Sequence, residues 1–224
     1  MPKSTAQPVK KPRKRSQRGI EAEEKLLQAA NEVFWANGYA GSTIAQFIAT
    51  SGLSVGSFYH QFADKDELLA RGTEGVLEDF RATIAALDMS RATNGTLFAL
   101  FFRMAVEGRK LVARNRGFYR AMAELAQNRF ENFGAMAMIA PQVVVRTNDA
   151  LQDYADQLAA PVTRETVAHA VQIITMTGLQ TELGMGPLLP SDLDAYGRVI
   201  ARAACGVLGY TGGFDLGRTD EETP

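Results

Sequence analysis

Residues 51–62 read Ser-Gly-Leu-Ser-Val-Gly-Ser-Phe-Tyr-His-Gln-Phe, and within them Gly52-Leu53-Ser54-Val55-Gly56 fits two incompatible structures. As Gly-x-Ser-x-Gly, the five residues match the nucleophile elbow of a serine hydrolase, in which Ser54 would sit on a sharp turn between a buried strand and a helix. As a glycine turn followed by a serine cap, they match the junction between the two helices of a DNA-reading helix-turn-helix, in which Ser54 binds rather than reacts. The choice decides the fold, because the first reading needs a sheet and the second needs none.

The residues upstream favour the second reading. Between Thr43 and Ser51 the apolar side chains Ile44, Phe47 and Ile48 recur at helical spacing, and no β-branched run is present. The strand of an elbow is therefore missing. A triad in elbow order also requires a later acid and then a histidine. Only His169 lies far enough downstream, and it falls in the helical pattern VTRETVAHAVQIITM, where it is expected to be a packed or solvated helix residue. Five-residue patterns this loose recur by chance, and the chain is not expected to be an enzyme.

Outward from this stretch the chain reads as helix throughout, and an all-α fold of about nine helices is expected. Leu26, Ala30, Val33 and Phe34 form the stripe of a first helix over about residues 21–37, widened by Leu27 and stopped by Gly38. Thr43 caps a second helix through Thr50. Ser54 caps a third, with Phe58 and Phe62 inward and Val55, Gly56, Ser57, Tyr59, His60 and Gln61 at or near the outer face. Asp64 with Glu67 forms a capping-box pattern that opens a long fourth helix.

Charge is distributed unevenly. The net charge of the 224 residues is -1, yet residues 1–19 carry seven cations (Lys3, Lys10, Lys11, Arg13, Lys14, Arg15 and Arg18) and no acid. With Pro2, Pro8 and Pro12 and few apolar side chains, this arm is expected to be disordered and to follow a phosphate backbone. Residues 20–80 hold only Lys25, Lys65 and Arg71 against ten acids. A unit that acidic gains little affinity from its own phosphate neutralisation, so the arm is expected to supply much of the nonspecific attraction.

From about Glu24 to Leu69 the sequence resembles the DNA-binding domain of the TetR family of transcriptional regulators. The resemblance is carried by the Leu-Leu and Ala-Ala pattern of the first helix, Gly38, Thr43, Ile48-Ala49, Gly52, Ser54, Gly56, Phe58-Tyr59, Phe62 and Lys65-Asp66-Glu67-Leu68. It implies that the third helix enters the major groove with Ser54, Val55, Gly56 and Ser57 on base edges, and that Thr43, Tyr59, His60 and Lys65 hold phosphates. Gln61 stands where the family often has histidine or tyrosine, and its contact is left open.

The implied organisation is a disordered arm (1–19), a DNA-binding domain (20–80, with its helix-turn-helix at 43–62), an effector-binding and dimerisation domain (81–213), and an acidic flexible tail (214–224). In the third part, Phe101, Phe102, Met104, Phe118, Met122, Phe133 and Met136 are candidates for lining an effector cavity; ordinary core packing is the alternative for each. Val167, Val171 and Ile174, then Leu193, Tyr196, Ile200, Ala203 and Val207, form two stripes suited to a four-helix homodimer interface, with an intramolecular core as the alternative. The single cysteine, Cys205, is expected to fill the core. No cofactor or metal cluster is expected. Without a membrane-length apolar run or a signal-peptide core, a cytoplasmic location is expected. The resulting expectation is a ligand-responsive repressor released from a palindromic operator by a small apolar effector; a nonspecific architectural DNA-binding protein is the other open class.

Overall fold

The computed structural model describes residues 16–126, 140–185 and 188–216. Helix α1 (Gln17–Asn37) starts earlier than its apolar stripe suggests, because the Ser16 hydroxyl accepts the Gly19 N–H at 3.2 Å and so caps the first turn. It ends at Gly38, whose φ of 70° lies in the left-handed region. Helix α2 (Ile44–Ser51) opens with a reciprocal cap: the Thr43 hydroxyl accepts the Gln46 N–H, and the Gln46 side chain accepts the Thr43 N–H at 2.8 Å. Gly52, at φ 68°, turns the chain into α3 (Val55–Gln61), which is capped by Ser54. Helix α4 (Lys65–Ala86) begins at Asp64, whose carboxylate accepts the Glu67 N–H, while Glu67 reaches back to the Ala63 N–H at 2.6 Å.

The remainder comprises α5 (Arg91–Asn94), α6 (Leu97–Arg114), α7 (Arg116–Ala126), α8 (Ala140–Ala150) running into a 3-10 turn (Leu151–Gln157), α9 (Arg164–Glu182) and α10 (Leu193–Val207). The fold is all-α, with no strand among the described residues beyond one isolated bridge between Leu158 and Tyr210. The cap of α10 is Asp192, accepting the Ala195 N–H at 2.7 Å.

Two apolar cores organise these helices. The amino-terminal one gathers Leu26, Phe34, Phe47, Phe58 and Leu68, all fully buried. Phe34 meets Phe47 edge-on at 5.1 Å and Phe118 at 5.8 Å. Burying each phenylalanine contributes about 1.5–3 kcal/mol. Phe118, Tyr119 and Met122 of α7 belong to this core, so the helices that read as DNA-binding enclose their interior with the help of a helix that lies beyond residue 80. The carboxy-terminal core centres on α6, whose Leu97, Phe98, Leu100 and Phe101 are fully buried against α9 and α10.

Helix α4 belongs to both. Its Leu68 and Val76 lie in the first core, and its Phe80 and Ile84 pack against the second, so the expected division at residue 80 falls inside one continuous helix. Arg146 of α8 holds the far end, donating to the carbonyls of Ile84 and Leu87. This is a side-chain cap on a helix C-terminus.

The proposed association stripes need correction. Val167, Val171, Ile174, Tyr196 and Ile200 are buried in the chain's own carboxy-terminal core. Ala203 and Val207 are exposed and Leu193 is half-buried. Periodicity identified the apolar face of each helix, but α6 occupies it. Cys205 is buried beside them, and desolvation pushes its thiol up to about 12, consistent with a packing role.

Candidate DNA-binding face

Each end of the helix-turn-helix is fixed by a local cap, and this determines what faces outward. The Ser54 hydroxyl accepts the Ser57 N–H at 3.1 Å and lies 2.9 Å from the Ser57 hydroxyl. Its partner is a second serine and no histidine. The segment before it, Ile44–Ser51, is helical, so the strand–turn–helix of a nucleophile elbow is absent.

Phe58 and Phe62 point into the core as their spacing required, which forces the other side of α3 outward. Val55 is 59% exposed and Tyr59 is 56% exposed; Ser54, Gly56 and His60 are exposed, and Ser57 is half-buried. Thr43 is exposed at the start of α2. A Cβ added to Gly56 would find only the Ser54 hydroxyl, at 3.8 Å. Nothing inside the fold therefore requires glycine there.

Two predicted contact residues are committed elsewhere. Gln61 donates through Nε2 to the Gly19 carbonyl at 2.9 Å, tying the end of α3 to the first turn of α1. Lys65 donates through Nζ to the carbonyls of Tyr39 (2.8 Å) and Ser42 (3.0 Å) and lies 4.1 Å from the centre of the Tyr39 ring. It is a half-buried cation that holds the turn between α1 and α2. Arg71 is likewise engaged, with Nε 2.6 Å from the buried Glu23. That hydrogen bond holds its guanidinium well above the ordinary arginine range. Of the three cations in residues 20–80, two are thus tied into the fold.

The candidate effector residues are not brought together. Phe101 and Met104 lie in the carboxy-terminal core, with Phe102 at its edge against Gly197. Phe118 and Met122 lie in the amino-terminal core instead, because α7 packs on α1. Phe133 and Met136 fall outside the described residues. A cavity of about 400 Å³ occurs elsewhere, where Leu151, Ala155, Leu158, Pro161 and Val162 meet Asn148 and Gln152.

Sequence reasoning missed the residues that position this face from outside it. Glu124 of α7 accepts the N–H groups of Tyr39 (2.6 Å) and Ala40 (2.9 Å). Asn31 of α1 donates to the Arg114 carbonyl at 2.8 Å and accepts the Gly117 N–H at 2.9 Å. Their partners are more than 80 residues away, and no local pattern marks them. No helix among the described residues is long and apolar enough to cross a membrane.

Residues 26–71 match the family model for bacterial regulatory proteins of the tetR family. No curated protein sequence matches the chain significantly. Among solved structures, a tetR-family regulatory protein from Rhodococcus RHA1 is 22% identical over 85% of this chain and 98% of its own, with a TM-score of 0.64. A TetR-like transcriptional regulator from Rhodococcus sp. RHA1 is 18% identical over 87% and 100%, with a TM-score of 0.59. Salmonella enterica GusR is 15% identical over 84% and 96%, with a TM-score of 0.56. Capped helices, a left-handed glycine turn and the exposed start of α3 coincide with the matched segment, so residues 26–71 carry the pattern of the tetR-family model and the chain has the fold of the TetR-like proteins it resembles.

Proposed function

We propose that the protein is a ligand-responsive repressor that binds a palindromic operator as a homodimer and releases it when a small apolar effector occupies the carboxy-terminal half. The observation that carries this reading is the exposed N-terminal end of α3, where Val55 and Gly56 follow the Ser54 cap as exposed residues and Ser57 is half-buried beside them. A helix end of this kind admits side chains to base edges: Val55 can pack on a thymine methyl, and the Ser57 hydroxyl can bond a base or a phosphate. Thr43, Tyr59 and His60 flank it as phosphate contacts, together with the backbone N–H groups at the start of α4.

The same reading assigns the electrostatics to the arm. Lys65 and Arg71 are engaged inside the fold, which leaves the acidic helical unit short of cations for DNA. The Gln61 bond to Gly19 brings the start of α1 beside the end of α3, so the point where the arm joins the helix, at Ser16, lies near α3. Fifteen residues span up to about 50 Å when extended, enough to follow an adjacent minor groove.

Dimerisation is assigned to the outer faces of α9 and α10, opposite the buried stripes. There Met176, Val199 and Val207 are exposed together with Ala203 and Gly206. Small and apolar side chains of this kind suit close helix packing about a twofold axis. Two copies would present α3 to half-sites about 34–36 Å apart or a multiple of that distance. Effector binding would alter this spacing through α4 with a coupling of about 1–3 kcal/mol. Selection of bound sequences from random DNA with the purified protein tests the proposal: a palindromic consensus is expected, and recovery of DNA without any shared sequence would replace it with a nonspecific architectural role.

A further inference from the structure

We infer that Glu124, on α7 of the carboxy-terminal half, is a positioning residue for operator recognition, acting through the turn that joins α1 to α2; the inference rests on the DNA-binding reading above. The turn spans residues 38–42 and delivers Thr43, the cap of α2. Both oxygens of the Glu124 carboxylate are used on it, Oε2 accepting the Tyr39 N–H at 2.6 Å and Oε1 accepting the Ala40 N–H at 2.9 Å. Charge-assisted bonds to backbone N–H groups are stronger than neutral ones, and two on one carboxylate fix direction as well as distance.

The sequence makes room for this contact. A Cβ at position 38 would lie 2.4 Å from Glu124 Oε2, so Gly38 serves both the approach of the carboxylate and its own positive φ. Opposite Glu124, the turn is held by the start of α4: Lys65 Nζ donates to the Tyr39 and Ser42 carbonyls, and the Tyr39 hydroxyl donates to Asp66. Within the turn, the Ser42 hydroxyl donates to the Gly38 carbonyl. One short segment therefore has two N–H groups, of Tyr39 and Ala40, on α7 and two carbonyls, of Tyr39 and Ser42, on α4. The two elements assigned to phosphate contact, Thr43 at the start of α2 and the N-terminus of α4, are spaced by this segment, and α7 sets where it lies.

Helix α7 is well placed for that role because it is anchored along α1 independently of Glu124. Arg116 lies over the Trp35 ring at 4.5 Å, Arg120 donates to the Trp35 and Ala36 carbonyls, and Phe118 fills the space left by Gly72. Removing Glu124 releases the turn without releasing the helix. A purely structural contact would change stability; a positioning contact changes how well two phosphate-facing elements register on a specific duplex.

The test uses the full chain and two duplexes of equal length, one carrying the palindrome selected by the wild-type protein and one scrambled. Glu124→Ala is expected to lower affinity for the palindrome by roughly tenfold or more, to leave affinity for the scrambled duplex within about twofold, and to speed hydrogen exchange at the Tyr39 and Ala40 amides. Glu124→Gln, which keeps one acceptor oxygen, should fall between Glu124→Ala and wild type. Wild-type affinity for the palindrome in Glu124→Ala overturns the inference, as does an equal loss on both duplexes accompanied by a collapsed melting temperature. If the wild-type protein selects no palindrome, the DNA-binding reading itself fails, and that outcome is distinct from a palindrome bound equally well by both proteins.

Discussion

Gly56 is the residue at which sequence, local structure and proposed function meet. It sits in the first turn of α3, where alanine is the better helix former by about 1 kcal/mol. Its φ is not positive, and an added Cβ would meet no atom closer than 3.8 Å. By contrast Gly52 adopts φ 68° and is required by the turn itself. Gly56→Ala should therefore leave the melting temperature unchanged or slightly raised, while affinity for the selected palindrome falls by about tenfold through a methyl group placed against the groove. Thermal melts and titrations on the same preparation check both halves, and unchanged affinity would remove the argument for close backbone approach. Ser54 shows the same logic from the other side, because its hydroxyl is used on the backbone and side chain of Ser57.

At the scale of elements, α7 does most to change the picture drawn from sequence. Its Phe118 and Met122 read as lining for an effector cavity, yet they complete the core beneath α1. The closeness of that packing is measured by Gly117: a Cβ there would lie 1.8 Å from the Asn31 backbone oxygen, which cannot swing aside as a side chain would. Gly117→Ala should therefore destabilise the protein by about 3 kcal/mol or more by forcing α7 away from α1. Chemical denaturation measures this directly, and a stability within about 0.5 kcal/mol of wild type would show that the two helices can separate freely. The neighbouring Gly108, with no atom near an added Cβ, provides the matched alanine control.

For the whole molecule, charge and connectivity set the expected behaviour. The seven cations of residues 1–19 balance the acidic helical unit that follows, whose Lys65 and Arg71 are engaged internally. Because Ser16 caps α1, a deletion that tests the arm should stop at residue 15 and leave the helix start intact. Removal of residues 2–15 takes away six cations. The slope of log affinity against log salt should become shallower by up to about 5, with the fold unchanged by circular dichroism. An unaltered slope would show that the arm makes no phosphate contacts. The proposed dimer contacts on the outer faces of α9 and α10 lie outside the deleted residues, and sedimentation of the truncated chain separates a loss of phosphate contacts from dissociation.

Residue order alone determined the helices, their caps at Thr43, Ser54 and Asp64, the glycine turn and the outward side of α3, because each depends on neighbours three or four positions away. The tertiary structure alone decided the rest. It used Lys65 and Gln61 inside the fold, since their partners Tyr39, Ser42 and Gly19 lie 23 to 42 residues away. It placed α6 against the apolar stripes of α9 and α10, which left their outer faces exposed. It also brought Glu124 to the turn that carries Thr43. Periodicity records which face of a helix avoids water; which surface covers that face is fixed only when distant helices compete for it.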